Sequence, residues 1–341
     1  MRDVSFLLSL AGLLLLPFGF RLANRVHPAP GMQPSYLPAI EGPRERAPFD
    51  AGPISDLARM NPGFVVIGDS MAGSRIDPAV LARLTARPVA PLLYAGSGPA
   101  WWYLVLENWV IPSGIHPRCV FIFFRDTNLT NVLFRIDARW AMDPVAHARE
   151  DDLNAVVARR RGSVFYRVRT ALENVYRAPQ ARRWIEPAVN AWPAELMIPY
   201  HKPRAAFMQQ LNDRFDLAHL RPMEAADMQA TEDREADFDA FVDRSALPLM
   251  LRDARQAGLT LCFVRVQRRP VGGRTPFQSP ALQRYVAKLK AYIEHNGAIF
   301  IDDTGDPAQT LDWYADGDHL SHDGRERYTE LFASRLRQRL P

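Results

Sequence analysis

The chain has 341 residues, 48% of them hydrophobic and 23% charged, a balance that excludes wholesale disorder. That length suits one large α/β domain with insertions, or two small domains. The formal net charge of +4 falls far short of a nucleic-acid-binding signature, although it suits an anionic surface or polymer.

In chain order, the first feature is residues 4–20 (VSFLLSLAGLLLLPFGF), an uncharged run bracketed by Arg2 and Arg21. At ~1.5 Å per residue this run makes a helix of ~25 Å, close to the ~30 Å of a hydrocarbon core. No small-x-small cleavage site follows. Residues 1–25 therefore read as an uncleaved transmembrane anchor, with a cleaved signal segment as the alternative. Either reading carries the rest of the chain across an inner membrane, so the expected location is the periplasm. Residues 26–60, rich in Pro and Gly, read as an extended tether.

A regular alternation then begins. Residues 64–67 (FVVI) form a first strand ending in Gly68-Asp69-Ser70. The segment DPAVLARLTA predicts a helix with Asp77 as N-cap and Pro78 at its first position. A second strand lies in VAPLLYAG, and a helix carrying Trp101, Trp102 and Trp109 leads to a third strand at 119–124. The fourth strand is expected at 259–266 and the fifth at 298–302, followed by a basic amphipathic helix. Short, continuously apolar strands separated by helices indicate a parallel sheet covered on both faces. The fold class is α/β: a flavodoxin-like, doubly wound, five-stranded parallel sheet whose site lies at the carboxyl ends of the strands. The core is assigned to residues 61–132 and 248–341. Residues 133–247, with no clear strand, read as a helical insertion. The two cysteines, Cys119 and Cys262, sit inside apolar runs; burial in adjacent strands is expected and a disulfide is open.

The strand ends collect the reactive groups. Ser70, at a strand-to-helix turn beside free backbone N–H groups, suits a nucleophile whose attack creates an oxyanion. Gly96, after the second strand, can bring its N–H to the same centre. Arg125, Asp126 and Asn128 emerge after the third strand, and the Asn128 amide can serve as a further oxyanion donor. After the fifth strand, Asp316 and His319 stand three residues apart. That spacing lets the carboxylate orient the imidazole while its other nitrogen meets the serine. Arg265, Arg268 and Arg269 follow the fourth strand; with Arg125, the first two are the expected substrate-binding cations for an anionic polymer. The Trp cluster suits core packing better than sugar stacking.

A rival reading is a metal site at Asp316, Asp318, His319, His322 and Asp323, but no HExxH accompanies it and no metal is expected. A third is a non-catalytic envelope scaffold.

The Gly-Asp-Ser block, Gly96 and the terminal Asp-x-x-His block resemble the SGNH (GDSL) hydrolase superfamily, over about residues 64–132 and 248–335. The family's third block, Gly-x-Asn-Asp, is replaced here by Arg125-Asp126-Thr127-Asn128. The resemblance implies an SGNH hydrolase fold, a Ser70–His319–Asp316 triad, and an oxyanion hole from Ser70, Gly96 and Asn128. No cofactor is implied. An anchor, a tether, this core and a helical insertion together are similar to envelope acylation proteins of the alginate O-acetylation and D-alanine transfer type. That similarity implies an acyl donor, a polysaccharide acceptor and a membrane-bound O-acyltransferase partner, with a general envelope esterase or lipase as the alternative.

Overall fold

The computed structural model describes residues 48–136, 142, 144–147, 150–161, 236–270, 277–316 and 318–339, without the side chains of Asp316 and Arg339. The expected anchor at 1–25, most of the tether and residues 162–235 of the insertion lie outside them. Residues 47–160 and 229–341 form one compact unit. Among the described residues no helix is long and apolar enough to cross a membrane.

The expected tether ends earlier than residue 60. Helix α1, Gly52–Met60, replaces its last part: Pro53 sits in the first turn, where its missing N–H costs nothing, and Leu57 is buried. Strand β1, Phe64–Gly68, is buried at every position. A single helical turn, α2 (Ser70–Gly73), follows directly. Helix α3, Pro78–Thr85, opens as expected: the Asp77 carboxylate accepts from the N–H groups of Ala79 and Val80. Strand β2 is Val89–Leu93. Helix α4, Pro99–Val105, runs on into a π-helical turn at Leu106–Val110. Strand β3 is Cys119–Phe124. The described parts of the insertion include α5, Asp151–Arg161, and the short α6, Phe238–Phe241. Helix α7, Leu247–Gln256, then leads to β4, Leu261–Arg265; α8, Pro280–His295, leads to β5, Ile299–Asp302.

All four strand pairings are parallel, and the order is β2-β1-β3-β4-β5. This is the doubly wound order whose topological switch lies between β1 and β3. The central strands β1, β3 and β4 are buried on both faces, which explains their unbroken apolar sequences. Pro91 falls in β2, an edge strand, where a missing N–H is tolerated.

On one face, Phe64, Val66, Phe121, Phe123 and Val264 pack with Leu81 of α3. The C-terminal helix α9, His322–Arg339, adds Tyr328, Phe332 and Leu336 to the same cluster. The alternate residues Val65, Ile67, Val120 and Ile122 are equally buried, with α4 against β1 and α7 against α4. Cys119 and Cys262 are disulfide-bonded across β3 and β4, with Cα atoms 6.2 Å apart.

Between β5 and α9 lies an element the sequence does not announce. Strands β6, Tyr314–Asp316, and β7, His319–Leu320, form an antiparallel hairpin that pairs Asp316 with His319. Asp316 and His319, three apart in the sequence, thus stand opposite each other on paired strands.

Candidate active site

Two sequence-distant elements meet above the carboxyl end of β1. Strand β1 ends at Gly68, and Asp69 caps the one-turn helix by accepting from the Met71 N–H at 2.8 Å. This places Ser70 at the first position of the turn, where opening N–H groups have no intrahelical acceptor. Burial pushes the Asp69 carboxyl above the ordinary range, against the Met71 N–H bond and the positive charges of Arg125 and Arg75. From the other end of the chain, the hairpin presents His319, whose Nε2 lies 2.9 Å from the Ser70 Oγ. That is hydrogen-bond reach, the separation a base needs to take the hydroxyl proton as the oxygen attacks. Asp316 is the cross-strand partner of His319 in the backbone register; its side chain lies outside the described atoms.

The pairing is held by a buried arginine. Arg75 is fully enclosed and donates to three main-chain carbonyls: Met71 at 3.2 Å, Asp318 at 3.1 Å and Gln267 at 2.6 Å. Met71 follows Ser70, Asp318 precedes His319, and Gln267 follows β4. One guanidinium thus joins three strand-end segments. The carboxylate of Asp318 adds two further ties, to the Arg125 guanidinium and to the Arg269 N–H at 2.8 Å.

The expected oxyanion donors stand on neighbouring loops at the same end of the sheet. The loop after β2 is pinned to β1: Gly68 O accepts from the Tyr94 N–H at 3.0 Å and from the Ser97 hydroxyl at 3.3 Å. Trp102 Nε1 in turn donates to Ser97 Oγ at 3.2 Å. Within this loop Gly96 has φ +77°, a left-handed conformation that favours glycine. Asn128 opens a 3₁₀ turn after β3, half-buried, with its N–H on the Arg125 carbonyl.

The three expected substrate-binding arginines each form an ion pair at the strand ends. Arg265 is 1% exposed and donates to Asp302, Thr304, Asp126 and Gln278. Arg268 pairs with Asp126, and Arg125 with Asp318. Burial opposes ionisation of Asp126 most strongly, but Arg268 and Arg265 together outweigh it and hold its carboxyl below the ordinary range. These ion pairs brace the rim of the sheet.

Three of the residues in the rival metal reading have described side-chain partners among themselves or with Arg125. Asp318 is tied to Arg125, while His322 and Asp323 are exposed at the start of α9 and pair with each other at 3.6 Å. Among the described residues no group of three His, Cys, Asp or Glu side chains is placed to hold a metal ion. Trp101 and Trp102 are buried, and Trp109 donates to the Asp50 carbonyl at 2.8 Å, so these rings serve packing. The contacts of Arg75 and Asp318 at this site were not legible in the sequence. Nothing in the pattern GSR marks an arginine as buried, and Asp318 was grouped with its neighbours as a metal ligand.

No family model and no curated protein matches the sequence. Solved structures similar to this chain include a protein assigned to the lipolytic G-D-S-L family from Desulfitobacterium hafniense, 10% identical, covering 80% of this chain and 97% of its own, with a TM-score of 0.36. A protein assigned as an acylhydrolase from Bacteroides fragilis is 13% identical over 82% of this chain and 88% of its own, TM-score 0.35. A GDSL-like lipase from Bacteroides thetaiotaomicron is 11% identical over 81% and 88%, TM-score 0.33.

Proposed function

We propose that this protein is a serine-dependent acyl-transfer enzyme of the SGNH type, working on the cell envelope. The carrying observation is the 2.9 Å contact between Ser70 Oγ and His319 Nε2, made by residues 249 positions apart. Ser70 attacks the carbonyl carbon of an ester donor as His319 takes the hydroxyl proton. The resulting oxyanion is met by the N–H groups of Ser70 and Gly96 and by the Asn128 amide. Asp316 holds the imidazole in the required tautomer and stabilises its charged form. Collapse expels the donor alcohol, which receives the proton from His319, and leaves an acyl-Ser70 ester. His319 then deprotonates the acceptor, which takes the acyl group and regenerates the serine.

With a sugar hydroxyl as acceptor, the reaction is O-acetylation of a polysaccharide; with water, it is deacetylation or general esterase activity. Two features support the envelope setting: the apolar segment at 4–20 and the disulfide between Cys119 and Cys262, a bond that persists in oxidising compartments. A membrane-bound O-acyltransferase would supply the activated acyl group in the transferase case.

The test is turnover of 4-nitrophenyl acetate by the full chain in detergent, with and without polysaccharide. Release of nitrophenolate is expected, with acetyl groups diverted to the polymer when it is present. Wild-type rates in Ser70→Ala would sink the reading; release without diversion would leave an esterase.

A further inference from the structure

We propose that Arg135 recognises an anionic group, a carboxylate or a phosphate, on the saccharide that Ser70 serves. The inference rests on the acyl-transfer reading of Ser70 and names the substrate class of that same site. Arg125, Arg265 and Arg268, at the ends of β3 and β4, are paired with internal carboxylates, whereas Arg135 stands beside the loop that carries Gly96. Arg135 is exposed. It lies in the turn segment 132–136, which docks on the loop after β2. The Phe134 carbonyl approaches Gly98 so closely that a Cβ there would sit 2.1 Å from its oxygen. Only glycine permits this contact, and the contact fixes where the next residue begins.

The backbone of Arg135 is itself held at φ +58°, a left-handed conformation costing a non-glycine residue about 1–2 kcal/mol. The guanidinium lies over the Phe134 ring, 5.6 Å from its centroid, which orients the planar fork. Its Nη1 is 3.8 Å from the point where a Cβ on Gly96 would stand. Gly96 belongs to the loop pinned to Gly68, two residues before the nucleophile. A guanidinium over the Phe134 ring, on a left-handed backbone position, is therefore delivered to the rim of the expected oxyanion hole. Its fork of N–H donors matches the paired oxygens of a carboxylate or phosphate. A substrate with such a group near its ester or acceptor hydroxyl meets Arg135 when the reacting carbon reaches Ser70.

The test measures binding by calorimetry to the full chain carrying Ser70→Ala, so it does not depend on turnover. The titrants are oligogalacturonate, glucose 6-phosphate and uncharged maltotriose. At least one anionic titrant is expected to bind, with affinity falling tenfold or more on adding Arg135→Ala and recovering in part with Arg135→Lys; maltotriose should not respond to either change. Binding of the first alone assigns a carboxylate, and of the second alone a phosphate. The bound anion should also slow fluorophosphonate labelling of Ser70 in the wild-type chain. Unchanged affinity in Arg135→Ala, no binding of either anion, or binding without protection of Ser70 overturns the proposal. If anion binding needs Arg135 while ester hydrolysis survives Ser70→Ala, the acyl-transfer reading fails and the anion site stands. If hydrolysis needs Ser70 but affinity ignores Arg135, the reverse holds.

Discussion

Arg75 donates a hydrogen bond from Nη1 to the main-chain carbonyl of Asp318 at 3.1 Å, linking the turn that carries the nucleophile to the residue just before His319. The side chain is wholly buried, and its other bonds reach Met71 and Gln267. Arg75 does not touch Ser70 Oγ or His319 Nε2; it ties together the segments that carry them.

Replacing Arg75 with Met keeps much of the apolar stem and removes all three bonds. A misplacement of ~1 Å at the reacting centre costs roughly a hundredfold in rate. For 4-nitrophenyl acetate, kcat is expected to fall by that order with KM little changed, and fluorophosphonate labelling of Ser70 to slow in parallel. Lost stability with an unchanged kcat in the folded fraction would make Arg75 a purely structural residue.

Asp126 predicts how stability responds to acid. Its carboxyl is held below the ordinary range by Arg268 and Arg265, so ionised Asp126 favours the folded state. For a depressed carboxyl, the contribution is complete above the unfolded value of about 3.9 and is lost as pH falls through the lower folded value. At neutral pH, Asp126→Asn leaves the buried Arg265 short of a carboxylate and should cost about 3–5 kcal/mol in urea unfolding. The gap between wild type and variant should narrow as pH drops below 4 in the ordinary carboxylate range. A constant gap down to strongly acidic pH would remove the ion-pair explanation.

The disulfide between Cys119 and Cys262 spans 143 residues. Closing a loop of that length restricts the unfolded chain by up to about 5 kcal/mol in the entropy model. The double variant Cys119→Ala/Cys262→Ala should therefore unfold at markedly lower denaturant. Since both positions lie in β3 and β4, away from the hairpin, its Ser70 labelling rate at low temperature should stay near wild type. Coincident unfolding midpoints would show that the bond adds no constraint.

Much of the fold was legible because parallel strands buried on both faces leave unbroken apolar runs. Residues 119–124 were placed to the residue, and the Asp77-Pro78 start of α3 followed from capping chemistry. Ser70 and His319 were legible because reactive residues at strand ends converge in a doubly wound sheet. The β6–β7 hairpin was not, since two short strands around Gly317 and Asp318 carry too few residues for a period-2 signal. The ion pairs of the arginines were hidden for a related reason. Arg265 lies at the end of a buried strand, and its partners Asp126, Asp302 and Gln278 come from three other segments. Local sequence gives charge but not the long-range pairing that consumes it. Helix α1 was hidden inside a Pro/Gly-rich stretch whose Pro53 starts a helix instead of preventing one.

The account depends on Ser70 being activated by His319. The most direct measurement is fluorophosphonate labelling of the full chain, followed by peptide mapping of the adduct and comparison with His319→Ala. The account predicts a single adduct on Ser70, forming at least a thousandfold more slowly without the imidazole, in line with the loss when a triad member is removed. An adduct elsewhere, or equal labelling of Ser70 in wild type and His319→Ala, would contradict it.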